Sequence, residues 1–178
     1  SNPEGIYVDS SGNIYVADKD NNRVMKWDSG SSSGTIVAGG NGAGSATNQL
    51  SSPRGIHVDS SENIYISDSN NNRIMKWASG ASEGSVVAGG NGEGNGLNQL
   101  YDPRGINVDS DGNIYVADFD NYRVSKWVPG ASQGILVAGG NGQGSASNQF
   151  YYPYSIHINN DILYVADAGN HRIQKVQI

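Results

Sequence analysis

Oxygen-bearing side chains recur at one place in this chain, and they are the residues best suited to chemistry. In "VDSDGNIYVADFDNYRVSKW", residues 108 to 127, Asp109, Asp111 and Asn113 alternate as calcium ligands do. An EF-hand loop places ligands at positions 1, 3 and 5, a glycine at 6 and a bidentate glutamate at 12. Counting from Asp109, the glycine falls at position 4 and Asp120 at position 12, and the strand-like run Ile114-Tyr115-Val116 follows at once. The stretch recurs as Asp9-Ser-Ser-Gly-Asn13 and Asp59-Ser-Ser-Glu-Asn63, both lacking the second aspartate and one lacking the glycine. Short polar side chains at this spacing bond nearby backbone and tolerate positive φ, so the stretch reads as a tight turn rather than a cation site.

The recurrence sets the architecture. Pro3, Pro53, Pro103 and Pro153 are fifty residues apart, Trp27, Trp77 and Trp127 keep the same step, and so do the Val-Ala-Gly-Gly-Asn-Gly segments at 37–42, 87–92 and 137–142. The fourth copy loses a residue near Asn159-Asn160-Asp161 and ends at Ile178, leaving three full repeats and a partial fourth at 1–50, 51–100, 101–150 and 151–178. Such near identity reads as recent duplication or engineering. A fixed period of this length is the signature of stacked supersecondary units.

Each repeat reads as four short strands. In the first they are Gly5 to Asp9 (a), Asn13 to Asp18 (b), Arg23 to Trp27 (c) and Thr35 to Ala38 (d), separated by Gly, Ser, Asn and Asp clusters. Four to six β-branched and aromatic residues between turn signals meet the criteria for strands, and no helix is expected. A four-stranded unit repeated around an axis is a propeller blade, whose faces are buried only when neighbours stack on both sides. The expected fold is therefore an all-β propeller with four blades per chain, the last of three strands.

"PRGINVDSDGNIYVADFDNYRVSKW" resembles the NHL repeat, P-x-G-I-x-V-D-x-x-G-N-I-Y-V-A-D-x-x-N-x-R-I-x-K, and the resemblance extends over every repeat. It implies a β-propeller, usually of six blades, and this chain is too short for that. Four blades leave an apolar face at each end, and exposed patches of that size mark interfaces. A head-to-tail homodimer closing an eight-bladed ring is the expected assembly, with a self-closed four-bladed ring or a part of a longer six-bladed domain as alternatives.

In an up-and-down blade the b–c turns and the long d–a loops share one end, and there the copies differ. The residues expected to form a ligand surface are Glu4, Arg54, Arg104 and Tyr154, just before strand a, with Phe119, Tyr122, Tyr152 and His171 from the neighbouring turns. Loops on a rigid scaffold are the favoured place for recognition, and a protein or peptide is the expected ligand. Asp18/Arg23, Asp68/Arg73, Asp118/Arg123 and Asp167/Arg172 face each other across the b–c turn and are expected to order their own hairpins.

Other chemistries are less well supplied. Some NHL-type propellers bind single-stranded RNA, but the net charge is -6 and eight of eleven basic residues belong to the repeated Arg-x-x-Lys, so nucleic acid is not an expected partner. The related amidating lyases hold a channel metal through histidines. Here Tyr7, His57, Asn107 and His157 share one register, so His57 and His157 are weak metal candidates, two blades apart and without a carboxylate. Lactonase-like propellers, which use a channel calcium, meet the objection that Asp9, Asp59 and Asp109 are committed to turns. The Gly39-Gly-Asn-Gly-x-Gly44 loop neither enters a helix nor carries Gly-Lys-Ser/Thr, which removes the phosphate reading. A sugar site in each such loop would give several equivalent sites per chain. A non-enzymatic binding and assembly scaffold without cofactor is the expected function.

Composition agrees with a folded β protein: 36% apolar, 16% charged and 25 glycines in 178 residues. No apolar run approaches a membrane span and no signal or targeting segment is recognisable, so a soluble chain is expected. Without cysteine there is no disulfide or thiolate metal site, and the compartment stays open.

Overall fold

A computed structural model describes residues 2–178. Fifteen strands form four antiparallel sheets. Blade 1 holds β1 (Pro3–Val8), β2 (Ile14–Asp18), β3 (Arg23–Trp27) and β4 (Thr35–Gly39). Blade 2 holds β5 (Pro53–Val58), β6 (Ile64–Asp68), β7 (Arg73–Trp77) and β8 (Ser85–Gly89). Blade 3 holds β9 (Pro103–Val108), β10 (Ile114–Asp118), β11 (Arg123–Trp127) and β12 (Ile135–Gly139). Blade 4 has three strands, β13 (Pro153–Asn159), β14 (Ile162–Asp167) and β15 (Arg172–Gln177). Strand a begins at the proline, two residues earlier than the sequence suggested. A register irregularity after Pro3, Pro53, Pro103 and Pro153 lets the proline pair with the aspartate that ends the next strand although it cannot donate to the ladder.

Period-two alternation explains how the blades stack. On β6, Ile64 and Ile66 point towards blade 1, joining Tyr15, Ala17, Val24 and Leu50, whereas Tyr65 points towards blade 3. Both faces of β6 and β10 are covered, so all five residues of each are buried. The first strands β1, β5, β9 and β13 neighbour one another in succession and so line the axis. They approach closely enough that a Cβ on Gly5 or Gly55 would strike the carbonyl of Arg54 or Arg104, which is why glycine stands there. Trp27, Trp77 and Trp127 pack beneath Gly34, Gly84 and Gly134 of their own c–d loops. In blade 4 Val176 stands at the tryptophan's position.

Two features depart from expectation. Each b–c turn contains a single 3₁₀ turn, ended by a left-handed residue at Asn22, Asn72, Tyr122 or His171. The d–a loop does not stay at one end of the blade, because it crosses to the foot of the next blade's outermost strand, where Gly84 N–H donates to the Thr47 carbonyl and Gly134 N–H to Leu97.

Candidate functional site

The second residue of each first strand stands at the mouth of the axis, and the b–c turns surround it. Four of the expected site residues, Glu4, Arg54, Arg104 and Tyr154, therefore come together from four blades. Glu4 is the hub. Its carboxylate accepts from Arg54 Nη1 at 2.9 and 2.7 Å, lies 2.7 Å from Lys19 Nζ, and accepts from the Tyr154 hydroxyl at 3.1 Å. The last contact spans the mouth from blade 4 to blade 1. Burial pushes the Glu4 carboxyl up, but the hydrogen bonds from Lys19 and Arg54, the Arg54 charge and the Tyr154 hydroxyl outweigh it and hold the group below its ordinary value.

The charges continue into blade 3. Arg104 donates to Asp102 from Nη2 at 2.8 Å and Nε at 3.1 Å. Arg54 Nε lies 3.5 Å from Asp102 Oδ1 and is buried without a hydrogen bond. Asp120 is pushed above the ordinary carboxylate value by burial and by the Asp102 charge, against Arg104 and Arg54. A shallow cavity of about 280 Å³ opens between Arg54, Asn72, Tyr101, Asp102 and Asp120. The three basic residues that could form a private patch, Lys19, Arg54 and Arg104, are each paired with a carboxylate.

The other half of the mouth is aromatic. The Arg104 guanidinium carbon lies 3.3 Å from the Phe119 ring centroid and 4.8 Å from that of Tyr154. Phe119 stacks on Tyr152 at 4.6 Å with 15° between planes, and Tyr152 meets Tyr151 at 4.3 Å and Tyr122 at 5.7 Å. Tyr154 is 39% exposed. The blade 1–2 and 2–3 borders carry Lys19 or Ser69 in place of Phe119, Asn22 or Asn72 in place of Tyr122, and Ser52 or Asp102 in place of Tyr152.

Backbone geometry makes two of these aromatics costly. Tyr122 and Tyr152 have φ of 53° and 57°, the left-handed region that Asn visits readily and bulky residues do not. In blades 1 and 2 the asparagine at the first position also accepts a backbone amide, Ser52 N–H to Asn22 Oδ1 and Asp102 N–H to Asn72 Oδ1, both at 3.0 Å. Tyr122 has no such acceptor to offer Tyr152.

The remaining candidates fall elsewhere. His171 is exposed on its turn, apart from the aromatic group. His57 lies between Tyr7 and Tyr65, with ring centroids 5.2 and 6.5 Å away, and burial lowers its pKa against the pull of Asp59. His157 is exposed on blade 4 opposite Tyr164. Among the described residues no group of three or more His, Asp and Glu could hold a metal ion. Asp109 accepts from the amides of Asp111 and Asn113 and from Asn113 Nδ2 at 2.8–3.0 Å, so its carboxylate is occupied by the turn. A cleft of about 1120 Å³ lies between blades 2 and 3, lined among others by His57, Asp59, Lys76, Asp109 and Trp127. The aspartates there are again turn residues, so the aromatic mouth is the better site.

The Asp/Arg pairs form as expected but do more than order hairpins. Arg73 Nε donates to Asp68 at 2.7 Å, and its Nη atoms donate to the carbonyls of Ser45, Ala46 and Gln49 on the preceding blade's loop. Asp68 accepts the Ser51 amide from the same loop. Burial raises Asp68 and Asp118 against these hydrogen bonds and the arginine charge, whereas Asp167, on the less covered last blade, is held below its ordinary value by an equivalent set.

Sequence reasoning missed Asp102, Asp120 and Tyr151 as site residues. Asp102 and Tyr151 were findable, because residues 101–102 and 151–152 replace Ser51-Ser52 before the proline.

The NHL repeat model matches residues 1–27, 50–77 and 100–127. No curated protein matches the chain. Among solved structures, a protein of unknown function from Bacteroides thetaiotaomicron VPI-5482 superposes with a TM-score of 0.75 at 22% identity, over 98% of this chain and 47% of that one. A chain of the nidogen/laminin complex gives 0.75 at 20% identity, over 98% and 60%. Streptogramin B lyase gives 0.64 at 16%, over 100% and 55%. The chain thus spans about half the length of the structures it matches, and the likeness is one of fold.

Proposed function

We propose that this chain of NHL repeats, arranged as four propeller blades, is a non-catalytic binding scaffold whose aromatic mouth holds a protein or peptide ligand. The observation that carries the reading is the pair Tyr122 and Tyr152. Both occupy left-handed turn positions that the other borders fill with Asn, Ser or Asp, and Tyr122 forgoes an amide hydrogen bond that Asn22 and Asn72 make. Stability alone favours asparagine there, and strained residues gathered in one place point to function. Tyrosines supply rigid, amphipathic contact area at low entropic cost, as anchors of protein recognition do.

The charges support the same reading. Lys19, Arg54 and Arg104 are each paired with Glu4 or Asp102, which favours a polar, weakly charged ligand over a phosphate backbone. In the glycine-rich loops, Asn41 and Gln49 bond loop carbonyls, as do Asn91 and Gln99, so these amides are committed to the fold rather than offered to a sugar.

The test is selection of a phage-displayed random peptide library on the full chain. Recovered peptides are then measured against a chain bearing Phe119→Ser, Tyr122→Asn, Tyr152→Ser and Tyr154→Arg. All four new residues occur at the equivalent places in other blades, so the fold is kept. Loss of binding supports the mouth as the site, and undiminished binding to the altered chain refutes it.

A further inference from the structure

Blade 1 presents the same leading face as blades 2 and 3, and no other part of the described chain covers it. Ile6, Val8 and Ile14 are 67%, 55% and 39% exposed, whereas Ile56, Val58 and Ile64 are 7%, 4% and 5%. Met25 and Trp27 are half-buried where Met75 and Trp77 are fully buried.

The polar half of this face is uncovered too. The Nη atoms of Arg73 reach Ser45, Ala46 and Gln49, and those of Arg123 reach Asn95, Gly96 and Gln99. Arg172 reaches Ser145, Ala146 and Gln149 in the same way. Beside them Asn71, Asn121 and Asn170 donate to the carbonyls of Gly44, Gly94 and Gly144. In blade 1, Arg23 Nε meets Asp18 at 2.8 Å, and among the described residues its guanidinium reaches no loop carbonyl. Asn21 turns back onto both oxygens of Asp18, at 2.9 and 3.0 Å.

We propose that the leading face of blade 1 is a docking surface for one further four-stranded blade of this same repeat type, whose Gly-Gly-Asn-Gly loop lays its carbonyls over Arg23. The three internal borders show what covers such a face. In each, the apolar half meets strands b and c of a neighbouring blade, and the arginine meets that blade's d–a loop. A second copy of this chain would fill the face less well. Among the described residues its fourth blade offers Tyr164, Ala166 and the 67% exposed Ile173 to the apolar half but neither a strand d nor a d–a loop, so nothing described there meets the Arg23 donors.

The experiment extends the full chain by placing a copy of residues 101–150 ahead of Ser1, so that the junction Phe-Ser-Asn-Pro repeats Leu50-Ser51-Ser52-Pro53. Urea unfolding, hydrogen exchange and mass by light scattering are compared for the original and extended chains, each with Arg23, Arg23→Ala or Arg23→Lys. The expected result is a higher unfolding midpoint on extension, with protection of the added blade. Arg23→Ala should shift the unfolding equilibrium by less than about fivefold in the original chain and by about a hundredfold to a thousandfold or more in the extended one, with Arg23→Lys recovering only part. An Arg23→Ala effect equally small in both chains overturns the proposal, and so does an added blade without protection. A dimer of the original chain that persists after extension overturns it in favour of a second copy on this face.

Discussion

Arg123 Nε stands 2.7 Å from Asp118 Oδ2 inside one hairpin, while its two remaining nitrogens bond carbonyls of Asn95, Gly96 and Gln99 in the preceding blade. The pair is a joint between blades, with Arg123 and Asp118 side chains only 8% and 0% exposed. Removing the guanidinium leaves the buried Asp118 carboxylate without its counter-charge and takes a donor from three carbonyls, so Arg123→Ala should cost about 3–5 kcal/mol. The equivalent Arg23→Ala, on the uncovered blade 1, should cost at most about 1 kcal/mol. Urea unfolding of the two variants in parallel decides the matter. Equal losses would show that the arginine serves its own hairpin alone.

That contrast shows how far the sequence could be read. The four strands, the turns and the Asp/Arg pairing are local, because each follows from residues within about ten positions of one another. Which loop Arg123 reaches depends on a separation of 24–28 residues and on the tilt between blades, which no local pattern encodes. The site divides in the same way. Connectivity put Glu4, Arg54, Arg104, Tyr154 and the Phe119 turn at one end, and they are there. The pairing of Arg54 and Lys19 with Glu4, and the reach of Tyr154 across the mouth, depend on the curvature of the arc. The strain at Tyr122 needed backbone angles, although the Asn at its equivalents was a visible hint.

Tyr122→Asn should make the protein more stable. It relieves a left-handed tyrosine, a conformation costing roughly 1–2 kcal/mol, and restores the acceptor that Asn72 offers to Asp102 N–H. Loss of ring packing on Tyr151 and Tyr152 offsets part of this, leaving a gain of about 1 kcal/mol. Thermal unfolding reads the gain, and peptide binding on the same sample should fall. A destabilised Tyr122→Asn would mean that tyrosine is there for packing.

Gly55→Ala tests how tightly the first strands approach. A methyl group there meets the Arg104 carbonyl of blade 3 inside contact distance, with the Ser67 hydroxyl beside it. Backbone cannot step aside as a flexible side chain can, so the two blades must separate at the axis. The loss should be about 1–3 kcal/mol. Ser155, at the same place on blade 4, meets no following blade among the described residues and should accept alanine with little change. Denaturant midpoints for the two substitutions should separate clearly, and matching midpoints would contradict the close approach.

His57 gives the fold a pH dependence whose sign follows from its surroundings. Burial between Tyr7 and Tyr65 favours the neutral ring and lowers the pKa below 6.5, and the Asp59 charge opposes this without cancelling it. A group whose folded pKa is depressed contributes stability above its unfolded value, and that contribution is lost as pH falls through the folded one. Unfolding temperature should therefore decline as pH falls below 6.5. Asn107 holds the same register in blade 3 without a charge, so His57→Asn should flatten the decline while leaving stability at neutral pH nearly unchanged. Glu4 and Asp59, both held below their ordinary values of 4.5 and 3.8, add their own losses only in more acidic solution. The slope just below neutrality is thus assigned to His57, and a slope that survives His57→Asn would overturn that assignment.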